Sequence, residues 1–453
     1  MTSVHRNGQD FSRPEKAPDI LIDGGILITM VEDEEPISDA RVFIDDGRIT
    51  RIQRVEEERD KSCSPREVID ARDCLVMPGL INGHTHAAMS LFRGIADDLP
   101  LREWLFEKIF PAESRFLNPD TVYWGSLLAC LEMISSGTTC FADGYFFQDG
   151  TVRAVKESGL RALIGQGVID FPAPGVEDPK ENIAAARRFI EDWQGFSGLI
   201  TPDVFCHSPI TCSERTLRAA TELSQEFNLP LQIHLSETRE EVTEIMKRAG
   251  VRPVHYLDGL GVINSSLIAV HAVHLDHGEM ECLREKGVRI VHCPESSMKL
   301  GSGTARVSNM LKMGLTVGLG TDGCSSNNNL DLFQEMDIAA KLSKVTEQDP
   351  GSLDARTALR MSTRWGAAVL GLEKEIGTIE EGKKADIIVV DLNSPHLCPL
   401  YNPYSAMVYA ADGADVKDVI VNGKVLMKDR KHITLDPQEI MKRVKGISRN
   451  IRL

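Results

Sequence analysis

Short apolar runs recur along the chain, separated by longer segments rich in Ala, Glu, Arg and Leu. The apolar runs have the length of β-strands, and the intervening segments, such as "LNPDTVYWGSLLACLEMISSG" and "TCSERTLRAATELSQEFN", have the spacing and end signals of helices. Alternating strands and helices predict an α/β protein with a parallel sheet, and eight such units close a (β/α)8 TIM-like barrel. The eight runs are "LVMPGLINGHTH", "TTCFADGYF", "RALIGQGVID", "LITPDVFCHSP", "LPLQIHLSET", "SLIAVHAVHL", "VRIVHCPESS" and "LTVGLGTDGC".

The two ends of the chain carry a different pattern, in which alternating strands are joined by turns that contain glycine. Because these strands flank the barrel on both sides, we predict one small β-sandwich built from both termini. The expected division is residues 1–76 for the first part of the sandwich, 77–372 for the barrel, and 373–453 for the rest of the sandwich and a tail. The terminal segments are "DILIDGGILITM", "ARVFIDDGRITRIQ", "KKADIIVVDL" and "VKDVIVNGKVLM".

Composition and charge narrow the class of protein. The formal charge of −16 over 453 residues disfavours nonspecific binding to nucleic acid or to anionic membranes. Since no apolar run approaches the roughly 20 residues that cross a bilayer, and the N-terminus is polar, we expect a cytoplasmic enzyme with a small-molecule substrate. The ten cysteines form no C-x-x-C pair, which argues against a disulfide framework and against a thiolate zinc site.

Polar residues fall at the carboxyl ends of the predicted strands. His84 and His86 are two residues apart in a strand, so their imidazoles point to the same side. In a barrel of this kind the carboxyl ends of all strands meet at one mouth, where catalytic groups lie. The pattern therefore predicts a metal centre at this mouth. The strand-end residues are His84, His86, Asp143, His207, His234, His271, His292 and Asp322.

Four motifs, "PGLINGHTH", "HLSET", "HAVHL" and "GTDG", resemble the amidohydrolase superfamily over essentially the whole chain. Two longer stretches, "HTHAAMSLFRGIADDLPLREWLFEKIFPAE" and "GTDGCSSNNNLDLFQEM", resemble its branch of 5-methylthioadenosine/S-adenosylhomocysteine deaminases. Carried over residue by residue, the resemblance implies four metal ligands, with Glu237 and His271 beside them. These ligands are His84, His86, His234 and Asp322.

The residue types agree with that ligand set. Three imidazoles and one carboxylate suit Zn²⁺ first and Fe²⁺ second. Many relatives hold two metals bridged by a carboxylated lysine at the end of strand four, but here "TPDVFCHSP" has His207 and no lysine. We therefore expect one Zn²⁺ per chain, with Fe²⁺ as the alternative.

The resemblance also implies the roles of individual residues. Asp322 takes a proton from the attacking water, His271 directs the attack, and Glu237 protonates the ring nitrogen beside the attacked carbon. Glu113 and His207 match family residues that contact the sugar, so the expected substrate-binding set is Glu113, His207, Glu237 and Asp322. The sequence leaves four roles open. Trp104 covers the purine or packs a helix, and Asp143 orients a ligand histidine or a loop. His292 is structural or supports a ligand without binding the metal, and Ser297 stands where the family usually has asparagine, which leaves one loop contact undetermined.

We therefore predict a metal-dependent hydrolytic deaminase of adenosine thioethers, 5′-methylthioadenosine or S-adenosylhomocysteine, that yields the inosine analogue and ammonia. Guanine or adenosine deamination and chloro-triazine hydrolysis on the same centre are alternatives, and a catalytically inactive homologue is disfavoured by the complete ligand set. Because residues 162–186 contain no arginine to pair with a homocysteine carboxylate, methylthioadenosine is the expected better substrate unless another loop supplies a cation. A homo-oligomer is compatible with the sequence, which leaves the oligomeric state open.

Overall fold

The computed structural model describes residues 18–54 and 64–451. The strands of these ranges are β1 (Ile20–Asp23), β2 (Ile26–Leu27), β3 (Ile37–Ser38), β4 (Ala40–Asp45), β5 (Arg48–Arg54), β6 (Glu67–Asp70), β7 (Cys74–Pro78), β8 (Leu80–Thr85), β9 (Thr138–Tyr145), β10 (Arg161–Val168), β11 (Ile200–Cys206), β12 (Leu231–Leu235), β13 (Leu267–His271), β14 (Arg289–His292), β15 (Thr316–Leu319), β16 (Ile387–Asp391), β17 (Val416–Val421), β18 (Lys424–Lys428) and β19 (Lys431–His432).

The α-helices are α1 (Leu101–Glu103), α2 (Phe110–Phe116), α3 (Pro119–Ser135), α4 (Gln148–Ser158), α5 (Asn182–Trp193), α6 (Glu214–Phe227), α7 (Arg239–Ala249), α8 (Pro253–Gly259), α9 (His277–Glu285), α10 (Pro294–Lys299), α11 (Val307–Lys312), α12 (Leu332–Glu347), α13 (Ala355–Met361), α14 (Arg364–Leu370), α15 (Pro403–Tyr409) and α16 (Pro437–Ser448). A π-helical stretch, Trp104–Ile109, joins α1 to α2. Among the described residues, no helix combines the length and apolar character that a membrane span requires.

The centre of the molecule is a barrel of eight parallel strands, β8 to β15, which neighbour one another in sequence order. It closes where the backbone N–H of Asp322, just after β15, donates to the carbonyl oxygen of His84 in β8 at 3.0 Å. Every residue of β9 and of β10 is buried, because helices cover one side of the sheet and packed side chains fill the other. The predicted α/β barrel and its eight strands are confirmed.

The helices between the strands begin where the sequence indicates. The side chain of Asn118 caps α3 by accepting from two backbone N–H groups, and Thr121 completes the capping box. The side chain of Ser213 caps α6 in the same way. These local signals fix the direction in which each helix leaves the mouth of the barrel.

The chain termini form two sheets that pack against each other. One has the order β5-β4-β1-β6, and the other has the order β19-β18-β17-β16-β7-β2-β3. Their facing side chains share one apolar core, which includes Ile22 and Ile44 from the first sheet and Val76, Ile387 and Ile420 from the second. The predicted sandwich is present, but only its larger sheet combines strands from both termini.

The run "LVMPGLINGHTH" divides into two strands, which its apolar pattern does not indicate. Its first half is β7, which pairs with β16 in the terminal sheet, and its second half is β8 of the barrel. Gly79 lies at the division, where a Cβ atom would stand 2.1 Å from the Oγ1 atom of Thr139. The side chain of Thr139 therefore packs so closely on the backbone of residue 79 that only glycine fits where the chain passes from one sheet to the other.

A buried ion pair joins the barrel to the larger terminal sheet. The guanidinium of Arg161, at the start of β10, donates to both carboxylate oxygens of Asp386 at 2.8 and 3.1 Å, and also to the carbonyl oxygen of Gly198. Asp386 in turn accepts from the backbone N–H of Asn422 at 2.7 Å. Both charged groups have several hydrogen-bond partners, so this ion pair fixes the position of the barrel relative to the larger terminal sheet.

Candidate active site

The residues singled out in the sequence converge on one cavity of about 340 Å³ at the carboxyl end of the barrel. His84 lies in β8, His86 directly follows it, His234 lies in β12, and Asp322 follows β15. His84 is fully buried beneath the cavity floor, and the others line the cavity. The predicted residues that line it are His86, Glu113, His207, His234, Glu237, His271 and Asp322.

Three imidazoles and one carboxylate are placed to hold a metal ion. One ring nitrogen from each of His84, His86 and His234 lies within 4.8 Å of the other two, and the Nε2 atoms of His84 and His234 are 3.2 Å apart. Two ligands of a tetrahedral zinc ion at its usual bond length stand about 3.3 Å apart. The Oδ1 atom of Asp322 lies 3.3 Å from Nε2 of His86 and 3.7 Å from Nε2 of His84. The donor set therefore fits one metal ion.

The protonation of these groups suits metal binding. Burial, together with the neighbouring imidazoles, lowers the pKa of His86 to about 4 and holds the pKa of His234 well below its usual value. Burial alone would raise the pKa of Asp322, but its hydrogen bond to His84 and the surrounding imidazoles hold that pKa well below the usual range. Neutral imidazoles and an ionised carboxylate have their lone pairs free for a cation.

Buried polar groups behind the ligands fix their orientation. The Nδ1 atom of His84 lies 3.5 Å from the side-chain oxygen of Gln232, whose amide donates to the carboxylate of Asp203 at 2.6 Å. The Nδ1–H group of His86 donates to the carbonyl oxygen of Gly144, which leaves Nε2 directed at the other ligands. Partners of this kind fix the tautomer and the ring orientation of a metal-binding histidine.

Asp143 and Asp322 are held by hydrogen bonds that the sequence pattern only partly indicates. Asp143 accepts from the backbone N–H of Ala87 at 2.6 Å and so orients the loop after His86. The Oδ2 atom of Asp322 accepts from the hydroxyls of Ser296 and Ser326 at 2.6 and 2.7 Å. Sequence reasoning missed both serines, because neither lies at the end of a strand.

Glu237 and His271 stand beside the metal ligands, with Nε2 of His271 3.8 Å from Oε2 of Glu237. Burial, reinforced by the negative charge of Asp322, raises the pKa of Glu237 to about 8. The group is therefore largely a neutral acid near pH 7 and has a proton to donate. His292 is buried close to His271 and does not line the cavity.

Glu241 is a further buried acid that the sequence analysis missed. Its carboxylate accepts from the backbone N–H groups of Ser236 and Glu237 at 2.7 and 2.9 Å. Ser236 has a left-handed backbone with φ of 51°, so this contact stabilises a strained turn directly before Glu237. The sequence does contain a signal for Glu241. The segment "TREE", which starts at Thr238, is a capping-box pattern, and this pattern indicates that the side chain of Glu241 accepts from a backbone N–H group at the start of the helix.

The cavity also contains Glu113, which is buried in α2. Its Oε1 atom accepts from the hydroxyl of Tyr145 at 2.6 Å, and burial raises its pKa to about 8 although Tyr145 opposes that shift. Its Oε2 atom has no partner among the described residues. An unpartnered carboxyl oxygen in a cavity is suited to a ligand hydroxyl group, which can both donate to it and accept from it. Trp104 also lines the cavity, and its buried indole N–H lacks a partner within the described ranges.

His207 follows β11 and lies between the metal ligands and an aromatic cluster. Its Nδ1 atom is 2.8 Å from the hydroxyl of Thr211, and its ring stands 5.1 Å from His234 and 5.9 Å from Phe110. Burial lowers its pKa to about 3, so the ring is neutral. The described residues that line the cavity include no lysine.

Comparison with known proteins agrees with this geometry. Residues 75–426 match the Amidohydrolase family. The chain is 47% identical to "5-methylthioadenosine/S-adenosylhomocysteine deaminase 1" of Syntrophus aciditrophicus, over 96% of this chain and 98% of that one. It is also 47% identical to a "5'-deoxyadenosine deaminase" of Methanosarcina mazei, over 93% and 96% of the two chains.

A solved structure of a relative has the same fold as this chain. A zinc-bound adenosine deaminase from Xanthomonas campestris superposes with a TM-score of 0.94 at 36% identity and covers 97% of this chain and all of its own. The three-histidine cluster described above and the zinc of this relative together support a metal site at the barrel mouth.

Proposed function

The chain belongs to the amidohydrolase family, and on this premise we propose that it is a zinc-dependent hydrolytic deaminase of adenosines that carry a 5′ substituent. The observation that carries the proposal is a single cavity with different chemistry at its two ends. One end has the metal-binding cluster and the acid Glu237, and the other has the unused acceptor of Glu113. An aminopurine at the first end would bring its ribose towards the second.

The residues around the first end support hydrolysis of an amino group on an electron-poor ring. A bound zinc ion would lower the pKa of a water molecule to about 7 and so supply the nucleophile. Asp322 accepts the proton that the water loses, and His271 directs the oxygen to the ring carbon. Glu237 donates a proton to the adjacent ring nitrogen, where negative charge develops during attack. When the amine receives a proton and leaves as ammonia, the ring keeps the oxygen as a carbonyl.

The second end supports a nucleoside over a free base. The Oε2 atom of Glu113 is buried without a partner among the described residues, and Tyr145 holds the carboxyl group in place through Oε1. A vicinal diol offers two O–H donors to such an acceptor. His207, which also lines this cavity, adds a neutral ring beside the same region. Free guanine and chloro-triazines have no group for Glu113, so they are the weaker candidates.

The test is an ammonia-release assay of the purified, zinc-loaded protein. The panel contains 5′-methylthioadenosine, S-adenosylhomocysteine, 5′-deoxyadenosine, adenosine, guanine and a chloro-triazine. We expect the highest kcat/KM with the 5′-substituted adenosines, and Glu113→Gln should lower kcat/KM for these nucleosides more than for guanine. A faster reaction with guanine or the triazine, or no release of ammonia from any adenosine by metal-loaded protein, would contradict the proposal.

A further inference from the structure

One wall of the active-site cavity is a continuous helical segment that carries seven cavity-lining residues. The segment runs through α1, the π-helical stretch and α2, and four of these lining residues, Arg102, Phe106, Phe110 and Glu113, recur at helical spacing. Their spacing of four, four and three residues places them on one face of a helix. Eleven residues of helix separate Arg102 from Glu113 by roughly 16 Å along the axis. The wall therefore has the buried carboxyl group of Glu113 at one end and the exposed guanidinium of Arg102 at the other.

The middle of this wall is aromatic. Phe106 and Phe110 contact each other edge to face with ring centres 5.3 Å apart, and Phe171 packs 5.1 Å from Phe110. Leu105 and Ile210 line the same part of the cavity. Such a surface is suited to the sulfur and methylene groups of a thioether, since sulfur packs well against aromatic edges.

The outer end of the wall carries opposite charges that are only loosely paired. The Nη1 atom of Arg102 lies 3.9 Å from Oε2 of Glu244, which is longer than a hydrogen bond, and the two side chains are 78% and 48% exposed. Glu240, one turn before Glu244 on α7, lines the cavity as well. An exposed pair at this distance contributes little to stability, so both groups are available to a ligand.

We infer that Arg102 and Glu244, with Glu240, bind the zwitterionic end of an α-amino acid attached to the 5′ position of the nucleoside. The inference rests on the proposed function, with the ribose seated at Glu113. A guanidinium pairs with a carboxylate through two parallel hydrogen bonds, and the glutamates accept from the ammonium group. Ribose and a tail of homocysteine length span about 10 Å when extended, and the long arginine side chain covers the remaining distance.

This assignment changes the expectation about the 5′ tail. The predicted preference for methylthioadenosine depends on the absence of arginine from residues 162–186. Two polar residues of that region, Gln166 and Asn182, are buried and do not line the cavity, and the Asn182 amide donates to the carbonyl oxygen of Ile169. Since Arg102 supplies a cation from a different segment, that preference no longer follows from the missing arginine.

The experiment compares kcat/KM for S-adenosylhomocysteine and for methylthioadenosine in zinc-loaded wild-type enzyme and in three variants. We expect Arg102→Ala to lower the ratio of the two values at least tenfold, mainly through KM for the homocysteine nucleoside. Glu244→Gln should lower the ratio three- to tenfold and should change turnover of an adenosine with a carboxyethylthio tail by a smaller factor, because that tail has no ammonium group. Arg115→Ala is the matched control, since this arginine lies on the same helical segment and stacks on Phe116 outside the cavity.

The outcomes separate the inference from the proposed function. If wild-type enzyme turns over both nucleosides and Arg102→Ala leaves their ratio within twofold, the tail is not bound at this end and the inference is wrong, while the deaminase activity stands. A drop of the same size in Arg115→Ala would also overturn the inference, because it would show a general effect of the helix. Failure of wild-type, zinc-loaded enzyme to deaminate either nucleoside would instead refute the proposed function.

Discussion

The buried carboxylate of Glu241 is predicted to position the catalytic acid. It accepts from the backbone N–H groups of Ser236 and Glu237 at 2.7 and 2.9 Å, and it lies at the first turn of α7. In Glu241→Gln, the side-chain oxygen can keep one of these bonds, but the amide NH2 group meets the other N–H donor. One buried donor then loses its partner, at a cost of about 1–3 kcal/mol.

That cost falls on a turn that is already strained. Ser236 has φ of 51°, so a weaker hold allows the backbone to relax and moves Glu237 away from the ring nitrogen. Displacement of a catalytic group by about 1 Å lowers the rate on the order of 100-fold. We therefore expect Glu241→Gln to lower kcat about 10- to 100-fold, with KM changed much less and with metal content unchanged.

The assay measures kcat and KM for methylthioadenosine, zinc content by elemental analysis, and the melting temperature. Arg239→Gln is the matched control, because Arg239 lies in the same helical turn, is exposed, and does not line the cavity. If Glu241→Gln has a lower melting temperature and a kcat within twofold of wild type, Glu241 only stabilises the fold and the reasoning is refuted. Loss of zinc from the variant would refute it as well, because the defect would then lie in the metal centre.

Three further predictions follow from the same geometry. Glu237→Gln should keep its metal and lose most turnover, because glutamine preserves the size of the group but cannot donate the proton; zinc lost from this variant would instead make Glu237 a ligand. Elemental analysis of active enzyme should give one metal per chain, since no lysine occurs among the described lining residues, and two equivalents would contradict this. Asp386→Asn should lower the free energy of unfolding by about 3–5 kcal/mol, because Arg161 is left buried without its counter-charge. In urea denaturation the exposed pair of Arg72 and Asp70 is the control, and Asp70→Asn should leave stability almost unchanged.

The barrel is predictable from the sequence because its evidence is local. Each strand is a short apolar run, and several helices between strands have a capping side chain at their start, such as Asn118 before α3 and Ser213 before α6. The candidate metal-binding residues follow from the same pattern, since a strand that ends in a polar residue places it at the mouth. The order and direction of the strands then bring His84, His234 and Asp322 together without any further information.

Features that depend on contacts between distant segments are not predictable in this way. The division at Gly79 depends on Thr139, which is in a different strand, and nothing in the run itself marks it. The serines that hold Asp322 come from two separate segments, Ser296 from α10 and Ser326 from the loop after β15. Arg102 reaches the cavity from a helix that the strand pattern does not place. Periodicity reports which face of an element is buried, but not what that face meets.

The backbone at the mouth explains why these contacts are needed. Ser236 directly follows β12, His271 ends β13, and Asp322 lies three residues after β15. All three have left-handed conformations, with φ of 51°, 71° and 62°. Each left-handed conformation costs on the order of 1–3 kcal/mol. It turns the chain abruptly at the end of the strand, whereas a straight strand would carry the next side chain away from the barrel axis.

Each turn is held by a specific buried hydrogen bond. Glu241 holds Ser236, the N–H of Ala272 donates to the carbonyl oxygen of Leu235, and the N–H of Asp322 donates to that of His84. The last two bonds link neighbouring barrel strands, so closure of the barrel itself imposes the conformation that aims the side chains at the cavity. The arrangement of the candidate active site is therefore a property of the closed barrel. Loosening one of these bonds is expected to reduce turnover before it unfolds the protein.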